Sequence, residues 1–221
     1  MAMTTTSYRA ELYPICDLVS TLQGEGTWAG MAVFLLRFSG CPLACSWCDE
    51  PRHRDPQATR HLTPAAIVAE MRRLDPHLTH ILLTGGEPLA VPGLFYLVDY
   101  FKDHGYWQAM ETSGVGGEIP FGLEWVTLSP KTPLPEALFN RADEVKYIIG
   151  ANPSDRQTEE IQERARIHDN VWVQPCSEAT VALPGQSPIN PQALQHCLAH
   201  IKRSGGRIRL SLQTHKWIGL P

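Results

Sequence analysis

The 221 residues carry 19 Lys plus Arg against 23 Asp plus Glu, a formal net charge of −4, and 43% are hydrophobic against 19% charged. This is an ordinary globular balance, and the mild acidity without a basic stripe excludes a general nucleic-acid binder. No run approaches the roughly 20 apolar residues that span a bilayer, so no membrane segment is expected. Residues 1–8 are polar and threonine-rich, without a basic stretch leading into an apolar one. They read as a flexible tip rather than a signal peptide, and the expected setting is the cytoplasm.

In chain order, 31–38 (MAVFLLRF) reads as a strand paired with 16–22 across a turn region at 24–30. A helix follows over 63–74, with Thr63 as its cap and Pro64 at its first position. A buried strand at 80–83 ends on Thr84-Gly85-Gly86. Residues 91–104 are helical up to Gly105, and strands follow at 107–111, 125–128 and 145–149. A polar helix over 154–168 is capped by Ser154 or Asp155. A strand at 171–174, a helix over 191–204 and a last strand over 207–213 complete the chain. Short strands between helices of about 10–15 residues predict an α/β fold, one domain over 1–221, with a mostly parallel sheet of βαβ units. Such sheets hold ligands beyond the carboxyl ends of their strands.

Six cysteines stand at 16, 41, 45, 48, 176 and 197. In a reducing compartment they are thiols or metal ligands rather than disulfides. Cys41, Cys45 and Cys48 form Cys-x3-Cys-x2-Cys in the loop after the first core strand, close enough to converge at little chain-closure cost. A cubane iron–sulfur cluster held by three thiolates keeps one iron open. Structural zinc is the alternative, and it wants four protein ligands. Cys176 or Cys197 could complete such a set, although neither lies in a second short-spaced pair. Otherwise Cys16 and Cys197 read as small buried hydrophobes, and Trp28, Trp107, Trp125 and Trp172 as packing residues.

The three-cysteine spacing, with Gly85-Gly86-Glu87-Pro88 after the next strand, resembles the radical S-adenosylmethionine superfamily. Ser20-Thr21-Leu22-Gln23-Gly24-Glu25-Gly26, Arg37-Phe38-Ser39-Gly40-Cys41, Glu111-Thr112-Ser113-Gly114, Ser129-Pro130-Lys131, Gln174-Pro175 and the ending from Ser211 to Pro221 are similar to the 7-carboxy-7-deazaguanine synthase family. The resemblance runs from about Leu12 to Pro221. It implies an abridged, partial (β/α) barrel and a lyase with a 4Fe–4S cluster, S-adenosylmethionine and magnesium. The substrate would be 6-carboxy-5,6,7,8-tetrahydropterin, the product 7-carboxy-7-deazaguanine for 7-deazapurine and queuosine biosynthesis. A homodimer and an electron donor such as flavodoxin are implied as well.

By the same resemblance, Cys41, Cys45 and Cys48 hold the cluster. Leu22, Gln23, Gly24, Arg37, Thr84 and Pro221 contact the pterin, with Arg37 on its carboxylate, where a planar bidentate donor fits. Trp47, Cys48, Asp49, Gly86 and Glu87 contact S-adenosylmethionine. Ser129, Pro130 and Lys131, with Gln174, Pro175, Cys176 and Ser177, line the rest of its pocket. Glu25, Glu111 and His215 are further candidates, each readable also as a structural loop or strand-end residue, with Lys216 beside His215 as a solvated strand end. Where the family has a small hydroxyl residue binding magnesium, this chain has Glu50. A carboxylate is a hard ligand, so magnesium is expected there, or else the longer, charged side chain coordinates differently, replaces the ion's function or points away. Two rivals stay open: another radical enzyme, such as an activator of a glycyl-radical partner, and a zinc-stabilised module without catalysis.

Overall fold

The computed structural model describes residues 11–177 and 189–220, so the tip at 1–8 lies outside the described residues. Among them, nine strands form one open sheet in the order β3-β1-β2-β4-β5-β6-β7-β8-β9. β1 (Tyr13–Leu22) and β2 (Ala32–Phe38) form the expected antiparallel hairpin, closed by Gln23 N to Met31 O at 2.8 Å and Gly30 N to Gln23 O at 2.7 Å. β3 (Arg60–Leu62) adds to the outer edge of β1, also antiparallel. From β2 onward every neighbour is parallel: β4 (His80–Gly85), β5 (Trp107–Thr112), β6 (Trp125–Leu128), β7 (Glu144–Ile149), β8 (Val171–Pro175) and β9 (Ile208–Leu210).

The connecting helices start where the sequence has caps. Thr63 accepts from Ala66 N at 3.2 Å to open α1 (Pro64–Leu74). α2 (Leu94–Asp103) begins three residues later than its hydrophobic pattern, because Pro92 keeps Val91 out of helical geometry and Gly93 takes φ +73°. α3 is the single turn Glu136–Phe139. Ser154 caps α4 (Asp155–Ile167), and Asn190 caps α5 (Pro191–Arg203). Among the described residues no helix is long and apolar enough to cross a membrane.

Period-two alternation separates the faces of the sheet. Phe34, Leu36, Phe38, Ile81, Leu83 and Met110 point to the core under α1 and α2, while Val145, Tyr147, Ile149, Val171 and Val173 point to a second core with Cys197. The opposite face carries a small apolar floor of Val33, Leu35, Leu82 and Ala109. Trp28, on the turn Gly26–Trp28, closes it edge-on against Trp107 and Trp125, with ring centres 5.4 and 5.2 Å apart. Along the same strands and on that face, Arg37, Thr84, Glu111, Lys146 and Gln174 come next. The polar residues of the site thus follow from strand register.

The expected last strand over 207–213 is a correction. Only Ile208–Leu210 pairs with β8, and the chain then turns inward. Ser211 Oγ donates to Gln174 Oε1 at 2.6 Å and accepts from Gly26 N at 3.0 Å, and the short helix α6 (Thr214–Trp217) follows. Cys197 is fully buried as expected, whereas Cys16 is only half-buried.

Candidate active site

A cavity of about 600 Å³ lies at the carboxyl ends of the parallel strands, lined by the segments after β1, β2, β4, β5, β6 and β8 and by the terminal segment. Cys41, Cys45 and Cys48 are free, half-buried and part of its wall. Their loop is stapled to the turn after β4: Gly86 N donates to Phe38 O at 2.8 Å, and Glu87 N to Gly40 O at 2.9 Å. A Cβ on Gly86 would lie 2.6 Å from the Gly40 carbonyl carbon, which explains the glycine. The Glu87 carboxylate faces inward, taking Ser113 N at 2.8 Å, Leu89 N at 3.1 Å and the Thr112 and Ser113 hydroxyls. Both the carboxylate and the backbone N–H of Glu87 are thus taken up within the protein, holding the turn against the cysteine loop.

Three thiols on one cavity wall are the right donors for a cluster with an open iron. Among the described residues, no three His, Cys, Asp or Glu side chains form a site for a single metal ion. Burial, with the neighbouring Glu87 carboxylate and the Cys45 and Cys48 thiols, pushes the Cys41 thiol up, so it is held protonated until a metal takes the proton's place.

Deeper in, Lys146 is 3% exposed and meets Glu111 Oε1 at 3.1 Å and the Glu25 carboxylate more closely. Burial opposes its charge, but Glu111, Glu25 and Glu144 outweigh burial and hold the ammonium well above its usual range. Glu25 is held below the carboxylate range by Lys146, again against burial. Glu144 is turned back to take Thr27 N at 2.8 Å. Gln23 donates to Glu111 Oε1 at 2.9 Å and accepts from Gly24 N at 2.8 Å, which fixes its amide.

The terminal segment closes over this row. Thr214 N donates to Gly24 O at 2.9 Å, and Gln213 bridges Glu25 Oε1 at 2.8 Å to Asp49 Oδ2 at 2.6 Å. Lys216, only 5% exposed, donates to Asp49 Oδ2 at 2.9 Å and is no solvated strand end. Burial alone would raise Asp49, yet Lys216 and Gln213 hold its carboxyl at about 2. Burial pushes His215 below the usual imidazole range. It also pushes Lys131 down to about 8, where Nζ donates to Ser129 Oγ at 2.5 Å and stands 5.1 Å from the Trp47 ring centre.

Arg37 Nε is buried without a hydrogen-bond partner among the described residues, and its Nη1 makes only a long 3.5 Å pair with Glu50. That leaves a planar donor facing the cavity. The Glu50 carboxylate is taken up by Arg52 through N at 3.3 Å, Nε at 2.9 Å and Nη2 at 3.0 Å, and Arg52 also reaches Asp17 at 3.2 Å. Between two guanidiniums, Glu50 is not a free magnesium ligand. The magnesium expected there does not fit the residues present.

Of the expected contacts, Leu22, Gln23, Gly24, Thr84, Gln174, Pro175, Cys176 and Ser177 line the cavity with those above, while Pro130 stands outside its wall. Pro221 lies outside the described residues, although Leu220 reaches the wall. Lys146, which lies in none of the motifs, and Gln213, named only within the terminal one, both hold the site together. The one legible signal for Lys146 was a charge within the apolar run 145–149.

The fold and its thiol-lined cavity define an iron–sulfur radical enzyme, and the model of the Radical SAM superfamily matches residues 35–195. 7-carboxy-7-deazaguanine synthase of Haemophilus influenzae is 31% identical over 94% of this chain and 94% of its own. The Synechocystis enzyme of the same name is 32% identical over 94% and 93%. The solved structure of QueE from Escherichia coli superposes with a TM-score of 0.72 at 27% identity, covering 92% of this chain and 95% of that one. The chain belongs to the 7-carboxy-7-deazaguanine synthase family of radical S-adenosylmethionine enzymes. It carries that superfamily's 4Fe–4S cluster and uses S-adenosylmethionine.

Proposed function

We propose that this chain is a lyase converting 6-carboxy-5,6,7,8-tetrahydropterin into 7-carboxy-7-deazaguanine with loss of ammonia, on one core domain over 1–221. The observation that carries the reading is one cavity holding both the three thiols and an inward arginine whose Nε has no hydrogen-bond partner among the described residues, beside a buried acid–base row. When bound, the reduced cluster and S-adenosylmethionine supply the 5′-deoxyadenosyl radical. The chain's own residues do the rest. Arg37 takes the substrate carboxylate through its open Nε edge. Gln23 and Gly24 border the ring, locked by Glu111 and by Thr214. Lys146 Nζ holds a proton between Glu25 and Glu111, and the neutral His215 ring can accept one. The segment from Gln213 to Lys216 excludes water from above. A cytoplasmic setting, a homodimer, a flavodoxin-type donor and the queuosine pathway belong to the same reading, and family resemblance supports them.

Anaerobic incubation with the carboxy-tetrahydropterin, S-adenosylmethionine and a strong reductant, read by mass spectrometry, yields the deazaguanine. Cleavage of S-adenosylmethionine without that product would favour a different radical enzyme.

Two further outcomes follow from the geometry. Because Glu50 is occupied by Arg52 and Arg37, chelator-treated enzyme keeps its rate within about twofold, the size of a lost peripheral contact. A rate restored only by added magnesium contradicts this. Lys131 loses its charge as pH rises through about 8. Affinity for the carboxylate-bearing S-adenosylmethionine therefore falls between pH 7 and 9 by roughly tenfold, the worth of one charge-assisted contact. The Lys131→Met variant binds weakly with no such pH step. Isothermal titration across that range checks it.

A further inference from the structure

His53 lies in the turn Pro51–Arg54 just after the cysteine loop and is 3% exposed. Its Nε2 stands 3.5 Å from Cys48 Sγ. Its backbone carbonyl accepts Gly40 N at 2.8 Å, which ties the turn to the start of the same loop. The other ring nitrogen, Nδ1, is buried with no hydrogen-bond partner among the described residues. The ring is therefore not aimed by bonds elsewhere, and the Cys48 sulfur is its one hydrogen-bond partner among the described residues. Against a metal-bound thiolate, only the tautomer with hydrogen on Nε2 is attractive. The other tautomer sets a lone pair against sulfur.

We propose that His53 donates an Nε2–H hydrogen bond to the Cys48 sulfur and thereby raises the reduction potential of the cluster. The inference rests on the reading of Cys48 as an iron ligand. Reduction adds one electron from the external low-potential donor, and part of that charge falls on the ligating sulfurs. A donor at Cys48 stabilises the reduced form more than the oxidised one. No proton is transferred, since the hydrogen stays on Nε2. His53 is thus a positioning residue that acts through Cys48, on the wall of the same cavity.

Two measurements on the anaerobic holoenzyme test this. In wild type labelled with 15N-histidine, pulsed electron paramagnetic resonance of the reduced cluster shows a histidine nitrogen coupling that His53→Gln abolishes. In redox titrations of fully loaded protein, His53→Phe lowers the reduced-to-oxidised ratio at a fixed potential by about tenfold, or 59 mV for one electron. His53→Gln, whose amide can still donate, recovers most of that ratio. A merely structural histidine would change iron content and leave the potential alone. Should His53→Phe fail to load, the wild-type coupling and the glutamine variant decide. A loaded wild-type cluster without histidine coupling, or a loaded His53→Phe cluster at the wild-type ratio, overturns the inference. A chain that gives no cluster signal at all overturns the ligand reading instead.

Discussion

Lys146→Met unfolds at markedly lower urea concentration than wild type at pH 7, with a deficit of about 3–5 kcal/mol, the usual consequence of removing one partner from a buried ion pair. Lys146 is the only cation in contact with both Glu25 and Glu111 among the described residues, and Glu144 lies within electrostatic reach. Without it, the buried Glu25 carboxylate faces Glu111 with no cation between them, and the folded-state pKa of Glu25 rises above its unfolded value. A carboxylate raised in this way destabilises the fold where it must be ionised, above both values, and the penalty fades as pH falls through the folded value. The deficit therefore shrinks between pH 7 and 5. Adding Glu25→Gln to Lys146→Met recovers part of it, because the two sites share one interaction. Turnover falls by about 10²-fold or more, as expected when a preorganised charge is removed from a closed site. Equal deficits at both pH values would show that lost packing, and not unpaired charge, is responsible.

Gly86→Ala loses at least about 100-fold in activity and binds iron poorly. The backbone conformation there is ordinary, so the cause is steric. The new methyl would press on the Gly40 carbonyl, whose carbon lies 2.6 Å away and whose oxygen is already held by Glu87 N. Gly40 directly precedes Cys41, and no flexible side chain can yield. The cysteine loop must move, and a displacement of about 1 Å in a catalytic arrangement costs about that factor in rate. Overpacking of this kind lowers stability by only about 1–3 kcal/mol. The chain still folds, and the defect shows as low iron content on a folded protein. Normal iron content with normal adenosyl cleavage would disprove the contact.

The long elements were legible because hydrophobic period and caps agree locally, as at Thr63 with Pro64 and at Ser154. Where they conflicted, the backbone rule won: Pro92 and Gly93 delayed α2 despite its apolar pattern. Elements of three or four residues, such as β3, α3 and α6, are too short to show a period. Within the site, the cysteines and the glycine turn stand out because their chemistry is local in sequence. The Lys216–Asp49 pair spans 167 positions, and no spacing rule reaches that far. Glu50 was visible as a departure from the family pattern. Its capture by Arg52 joins residues only two apart, so that pairing could have been read from the sequence.

The account stands on three sulfurs that leave one iron for the amino acid end of S-adenosylmethionine. Electron–nuclear double resonance on the reduced holoenzyme, with S-adenosylmethionine carrying 15N at its amino group, tests this most directly. A strong nitrogen coupling that disappears in Cys48→Ala is the predicted result. An iron-loaded protein without that coupling, or one whose fourth iron is bound by a side chain such as Cys176, would contradict it.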